Sequence, residues 1–261
     1  MQYSNKKKGE KIMTKRFGFT LAEVLITLGI IGVVAAMTIP TLISNTNGAK
    51  FRSQFKKTLS TLNQAGLMSQ AQYDFDYAGT TQACNGTVAT AAAEHPDSTM
   101  SFCAILNGTL TGQTYQGVAS NIKRNNNGTE VAYAHVAPQN YKKVLATDAP
   151  TKYLAYTLAD GSIVAFAPDA QGCELPIGTR MTGDWITKNT KCLGFIDVNG
   201  ATLPNREVSC TDETKTANTV ETPCAVKNDA NHMTDVFPIV FHDATVEPAS
   251  NAAKYVLTTS K

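Results

Sequence analysis

The sequence lacks the short motifs that carry most familiar enzyme chemistry. It contains no G-x-S-x-G nucleophile elbow, no phosphate-binding loop and no glycine fingerprint for a dinucleotide. It also has no C-x-x-C pair, and its four histidines (His95, His135, His232 and His242) show no metal-ligand spacing, so zinc is not expected. We therefore predict that the protein is not an enzyme, that it has no cofactor and that it holds no resident metal.

The chain also carries little net charge, only +2 overall. Six of its 23 basic residues lie within residues 1–18 beside one acid, so residues 19–261 carry 17 basic and 20 acidic side chains. Such a body offers no electrostatic surface for nucleic acid. The basic N-terminus is of the kind that stays on the cytoplasmic side of a membrane.

The cysteines all lie on one side of an apolar N-terminal run (Cys84, Cys103, Cys173, Cys192, Cys210 and Cys224). An even number confined there indicates oxidation outside the cytosol. Fifteen pairings are possible for six cysteines. We predict pairing in sequence order, which closes short loops, with reduced thiols or a metal site as the alternative.

The apolar run extends from Phe19 to Ile39 and is broken by a single charge, Glu23. As a helix it would rise about 30 Å, the thickness of a bilayer core. We predict one membrane span with the N-terminus in the cytoplasm and the body outside.

Glu23 is the unusual residue of this run, because an ionisable group inside a membrane helix costs about 2–3 kcal/mol. If the chain were cut between Gly18 and Phe19, the new amine of a neighbour's Phe19 could neutralise Glu23 and fix the axial register between subunits. The alternative is an acid tolerated near the membrane interface.

The segment Lys15-Arg16-Phe17-Gly18-Phe19-Thr20-Leu21-Ala22-Glu23, followed by the apolar run, resembles the processing site of the type IV pilin family, which includes the type II secretion pseudopilins. The resemblance implies that prepilin peptidase cuts after Gly18 and N-methylates Phe19. It also implies that Glu23 serves in assembly, with other pilin subunits and an inner-membrane assembly platform as partners. Pro40 matches a proline that interrupts the long helix of that family.

The predicted fold class is α+β, a pilin-like arrangement of a long N-terminal helix packed on an antiparallel sheet. Residues 1–18 would form a leader that is removed, whether translation starts at Met1 or Met13. Residues 19–77 would form the helix, membrane-spanning over 19–39 and amphipathic over 40–77, with a weak point around residues 40–48. Residues 78–261, which we call the head, would lie outside the cytoplasm. The amphipathic part is predicted from apolar positions that recur at spacings of three and four (Phe51, Phe55, Leu59, Leu62 and Gly66).

Strands in the head are predicted from short apolar runs bounded by turn residues. The clearest is a hairpin around Asp160-Gly161. The predicted strands are Lys152–Ala159, Ser162–Ala167, Leu193–Val198 and Val236–Phe241, with weaker candidates at Val131–Val136 and Ala253–Thr258.

One stretch of the head resembles a calcium loop, because Asp197 and Asn199 supply oxygen ligands two residues apart and Asp235 is a possible partner. The interpretation we favour is a strand-ending turn at Asn199-Gly200, and calcium binding at Asp197 and Asn199 stays open.

The sequence leaves three roles open: a pilus subunit, a secretion pseudopilin, or a minor tip pilin that acts as an adhesin or as a DNA- or substrate-binding module. In each case the expected location is the inner membrane for the precursor, and afterwards a periplasmic or cell-surface filament.

Overall fold

The computed structural model describes residues 19–84, 87–133, 152–210, 224–226 and 233–259, with the backbone alone at 44, 45, 125 and 126. The predicted leader therefore lies outside the described residues. The chain divides into two compact units, Met1–Leu42 and Ile43–Lys261.

The longest element is helix α1, Leu21–Tyr73, which is continuous through Pro40 and through residues 44–48. Three short helices follow in the second unit, α2 (Val88–Ala92), α3 (Phe102–Thr109) and α4 (Gly183–Lys188), and α5 (Asn251–Thr258) comes last. The strands are β1 (Thr114–Val118), β2 (Lys123–Asn126), β3 (Thr129–Ala132), β4 (Leu154–Thr157), β5 (Ile163–Phe166), β6 (Leu193–Asp197), β7 (Val236–His242) and β8 (Thr245–Pro248).

Six of these strands form one antiparallel sheet in the order β1-β4-β5-β6-β7-β8, and β2 pairs with β3 in a separate hairpin. A long N-terminal helix followed by an antiparallel sheet confirms the predicted α+β, pilin-like architecture.

The predicted hairpin around Asp160-Gly161 is confirmed. Strands β4 and β5 pair from Leu154–Phe166 to Thr157–Ile163, and Gly161 takes a positive φ of 84° that favours glycine. The strands predicted at residues 193–198 and 236–241 correspond to β6 and β7.

The amphipathic face of α1 docks against this sheet, as its spacing predicted. Phe55 is fully buried and its ring stacks on Phe237 of β7 at 4.3 Å between centroids. Two helical turns further on, the carbonyl of buried Leu62 accepts a 2.8 Å hydrogen bond from the Tyr77 hydroxyl. Helix and sheet therefore share one core.

Both edges of the sheet carry side-chain amides. On β8, the Asn63 side chain accepts from the Val246 amide at 2.5 Å and donates to the Val246 carbonyl at 3.2 Å. On β1, the Asn121 side-chain amide donates at 3.0 Å to the carbonyl of Gln116, which lies at a bulge between Tyr115 and Gly117. These amides occupy backbone groups that an edge strand otherwise offers to another strand.

The strand predicted at Ala253–Thr258 is wrong, because this segment is helix α5. The Ser250 hydroxyl caps the helix by accepting from the Ala253 amide at 3.1 Å. Ala252, Ala253 and Val256 then lie buried on one helical face. The candidate strand at 131–136 ends at Ala132 in β3, and residues 134–136 lie outside the described part of the chain.

Three disulfides join cysteines that are neighbours in the sequence order: Cys84–Cys103, Cys173–Cys192 and Cys210–Cys224, with Cα separations of 5.6, 5.6 and 5.3 Å. The first ties the segment after α1 to α3, and the second ties the loop after β5 to the turn that leads into β6. Covalent links of this kind limit the conformations of the unfolded chain.

Gly66 allows α1 to approach the β7–β8 turn closely. A Cβ atom at this position would lie 2.7 Å from the Ala244 carbonyl oxygen and 2.8 Å from Cε2 of Tyr77. A larger side chain therefore has to move the helix or the β7–β8 turn.

We predict that Gly66→Leu destabilises the protein by about 2 kcal/mol, because overpacking outweighs the better helix propensity of leucine. Thermal unfolding of the detergent-solubilised chain should show a melting temperature about 5 °C lower. The matched control is Gln64→Leu, which adds the same side chain at an exposed position of the same helix. Equal melting temperatures for the two variants would contradict the close approach.

Candidate functional site

The start of α1 is held by a reciprocal set of hydrogen bonds between Thr20 and Glu23. The Thr20 amide and hydroxyl both donate to Oε2 of Glu23, at 2.8 and 2.9 Å, and the Glu23 amide donates to the Thr20 hydroxyl at 3.2 Å. This is a capping box, in which each residue satisfies a backbone amide that the first helical turn leaves unpaired. It holds the Glu23 carboxylate at the positive end of the helix dipole, one turn from Phe19.

The apolar part of α1 presents its side chains outward all round. Phe19 is 87% exposed, Leu25 61% and Met37 73%, and the most apolar window of the helix contributes nothing to a core in the described structure. So large an apolar surface is unfavourable in water and calls for lipid or for other apolar helices around it. By length and composition this helix can cross a membrane.

The hydroxyl groups of this segment are satisfied within the helix itself. Thr27 donates to the carbonyls of Glu23 and Val24 at 2.9 Å, Thr38 donates to Val34 at 3.0 Å, and Thr41 donates to Thr38 at 2.8 Å. Hydroxyls that are satisfied within the helix cost less to place in a hydrocarbon environment. Pro40, between Thr38 and Thr41, removes one backbone donor without ending the helix.

The family model named "Prokaryotic N-terminal methylation motif" matches residues 13–39. The chain carries this motif. The methylation motif is the signature of type IV pilins and pseudopilins, and it covers Gly18, Phe19 and Glu23, although Gly18 lies outside the described residues. No curated protein and no solved structure matches the chain.

The methylation motif points to a structural subunit rather than to an enzyme. It implies processing by prepilin peptidase and assembly with other pilins. Together with the apolar helix that follows it, the motif fits a precursor anchored in the inner membrane.

The second sequence candidate, Asp197 with Asn199 and Asp235, lies at the junction of β6 and β7. The Asn199 backbone amide donates to Oδ1 of Asp197 at 3.2 Å, and the Asn199 side-chain amide donates to the Leu203 carbonyl at 3.3 Å. The predicted turn is present too, with Gly200 at a φ of 68°. Burial raises the pKa of Asp197, and the nearby charge of Asp235 raises it further. Burial also raises the pKa of Asp235, to about 6.

Tyr133 belongs to this junction and was missed by sequence reasoning. Its buried hydroxyl donates to Oδ2 of Asp197 at 2.7 Å from a position 64 residues earlier in the chain. No local pattern marks such a long-range contact, so only the folded structure could reveal it.

We predict that Thr20→Val opens the first turn of α1, because it removes the hydroxyl that accepts from the Glu23 amide. Loss of a cap of this kind is worth about 1 kcal/mol, so hydrogen exchange at the Glu23 amide in detergent micelles should become about fivefold faster. Thr20→Ser, which keeps the hydroxyl, is the control and should exchange at the parental rate. Unchanged exchange in Thr20→Val would show that the capping box does not stabilise the helix start.

Proposed function

We propose that the protein is a structural subunit of a type IV pilus-like or type II secretion pseudopilus filament. It is cut after Gly18, methylated at Phe19 and polymerised through residues 19–39. The observation that carries this proposal is the methylation motif at residues 13–39, which leads into a helix whose apolar side chains are exposed. Burial of that surface among neighbouring helices is the driving term for assembly as the subunit leaves the lipid.

Glu23 sets the register of assembly in this proposal. Cleavage after Gly18 creates a positive amine on Phe19, one helical turn from the Glu23 carboxylate. In a bundle of such helices a buried carboxylate is tolerated only where a counter-charge meets it, here the Phe19 amine of a neighbour. A single axial offset between subunits satisfies this condition, whereas apolar packing alone would tolerate several offsets.

Pro40 has a mechanical role in the same proposal. A proline inside a helix lacks the amide that would bond four residues back, so bending or local unwinding costs less there than elsewhere. The boundary between the two compact units follows Leu42, two residues beyond Pro40. Pro40 thus lets the membrane-spanning part adjust to neighbours in the filament without disturbing the head.

The precursor is a single-pass protein of the inner membrane with its head outside, and the mature subunit ends in a periplasmic or cell-surface filament. The basic residues before Phe19 favour this orientation. The three disulfides support it as well, because such bonds persist in an oxidising compartment outside the cytosol.

The first test is the intact mass and N-terminal sequence of the protein purified from its native cells. We expect a chain that begins at N-methylated Phe19 and lacks residues 1–18. A protein that keeps its leader, or one cut near Ala36 like an ordinary secreted protein, would refute the proposal.

A second test separates processing from assembly with Glu23→Gln, which removes the charge and keeps the side-chain size. We expect normal cleavage and methylation, with recovery in sheared or cross-linked filaments at least about tenfold lower, since the register charge is lost. Thr27→Val is the control one turn further along the same helix and should assemble normally. The variant Gly18→Glu tests processing instead, because it changes the cleavage position, and this protein should keep its leader. Normal filament yield from Glu23→Gln would refute the role of Glu23 while leaving processing untouched.

A further inference from the structure

The Cys84–Cys103 disulfide lies against an acidic side chain. One carboxylate oxygen of Glu94 and the two sulfur atoms of this bond all lie within 4.8 Å of one another. Glu94 is half-buried, Cys84 is 8% exposed and Cys103 is fully buried. Water therefore screens the carboxylate from the sulfurs less than it would on an open surface. Within the described part of the chain, no comparable group forms around Cys173–Cys192.

Hydrogen bonds hold the Glu94 carboxylate in this place. The buried Ser101 hydroxyl donates to Oε2 of Glu94, and its oxygen accepts from the Ala104 amide at 3.0 Å. The Asn107 side chain donates to the backbone carbonyl of Glu94 at 2.9 Å. Glu94 is thus attached, through its side chain and its backbone, to α3, the helix that carries Cys103.

The start of α3 would by itself make this disulfide easy to reduce. Cys103 is the second residue of α3, and its backbone amide donates to Sγ of Cys84 at 2.9 Å. A helix N-terminus stabilises a thiolate, and a disulfide exchanges faster when the departing sulfur is a stable thiolate. A negative charge beside the sulfurs acts in the opposite sense, because it raises the free energy of the developing thiolate.

We propose that Glu94 slows thiol–disulfide exchange at Cys84–Cys103 and so protects this bond from dithiol reductants and isomerases. In the exchange, a thiolate of the dithiol attacks Sγ of Cys84, the more exposed sulfur. The S–S bond breaks, and Sγ of Cys103 leaves with the electron pair as a thiolate, which then takes a proton from water. The second sulfur of the dithiol attacks the mixed disulfide, so Cys84 is released as a thiol and the dithiol is oxidised to a cyclic disulfide. Glu94 opposes both the approach of the anionic reductant and the departure of the sulfur.

The effect is on the rate of exchange and not on its equilibrium near pH 7. The disulfide is neutral, and free cysteines at this pH are mostly protonated, so the sulfurs carry little charge in either end state. Only the transition state places negative charge on them beside Glu94. Slow exchange matters because six cysteines can pair in fifteen ways, so a native bond that exchanges slowly is kept once it has formed. The inference concerns the head alone and does not depend on the filament role.

The test is the rate at which dithiothreitol reduces each disulfide in the full detergent-solubilised chain at pH 7. Iodoacetamide traps the free thiols at set times, and peptide mass spectrometry measures the alkylated fraction of each cysteine. Glu94→Gln keeps the shape of the side chain and removes its charge, so we expect the neighbouring disulfide to be reduced about tenfold faster. Asp97→Asn, which changes an exposed acid nearby in the sequence, should show the parental rate. Reduction of Cys173–Cys192 should proceed at one rate in all three proteins.

A second measurement separates the charge of Glu94 from a looser fold. In a dithiothreitol redox buffer at pH 7, the equilibrium constant for reducing Cys84–Cys103 should stay within about twofold of the parental value in Glu94→Gln. A variant that merely loosened the structure would be reduced faster and would also shift this equilibrium toward the thiols. Equal reduction rates in the parent and Glu94→Gln, or a faster rate accompanied by such a shift, would overturn the proposal.

Discussion

The docking of one face of α1 against the sheet is the contact on which the rest of the second unit depends. Phe55 stacks on Phe237 of β7, and Tyr77, just beyond the helix, packs against Phe102 of α3 and Phe241 at centroid distances of 5.1 and 5.0 Å. Aromatic groups of this size dominate the burial of apolar surface. Without the helix the inner face of the sheet would lie open to water, and the short helices would have no common core to pack on.

The same helix is suited to two different surroundings along its length, because its sequence pattern changes. From Leu21 to Leu42 it is apolar on every side, which suits lipid or a bundle of like helices. From Phe51 onward one stripe of apolar side chains is buried, which suits a protein core on that side, although Leu67 and Met68 are exposed. The pattern thus changes within one helix that has no break.

Local patterns predicted the elements that local interactions build. The Asp160-Gly161 turn and the spacing of Phe55 and Leu62 are short-range signals, and the structure contains the hairpin and the docked face that they indicate. Helix α5 was predicted as a strand, because Tyr255, Val256 and Leu257 form a short apolar run; the Ser250 cap starts a helix there instead. The contact between Tyr133 and Asp197 depends on the finished fold, so the sequence contains no local trace of it.

The amides that cover the sheet edges would matter in the proposed filament, where subunits could also associate through their sheets. Subunits packed side by side bring their sheets to very high local concentration, where an open edge would recruit the edge of a neighbour and grow a cross-β fibre. Asn63 of α1 bonds both backbone groups of Val246, so the helix covers part of the β8 edge against pairing with another strand. A subunit that has not yet docked α1 would expose that edge, so correct folding of the helix would serve as a checkpoint against amyloid growth.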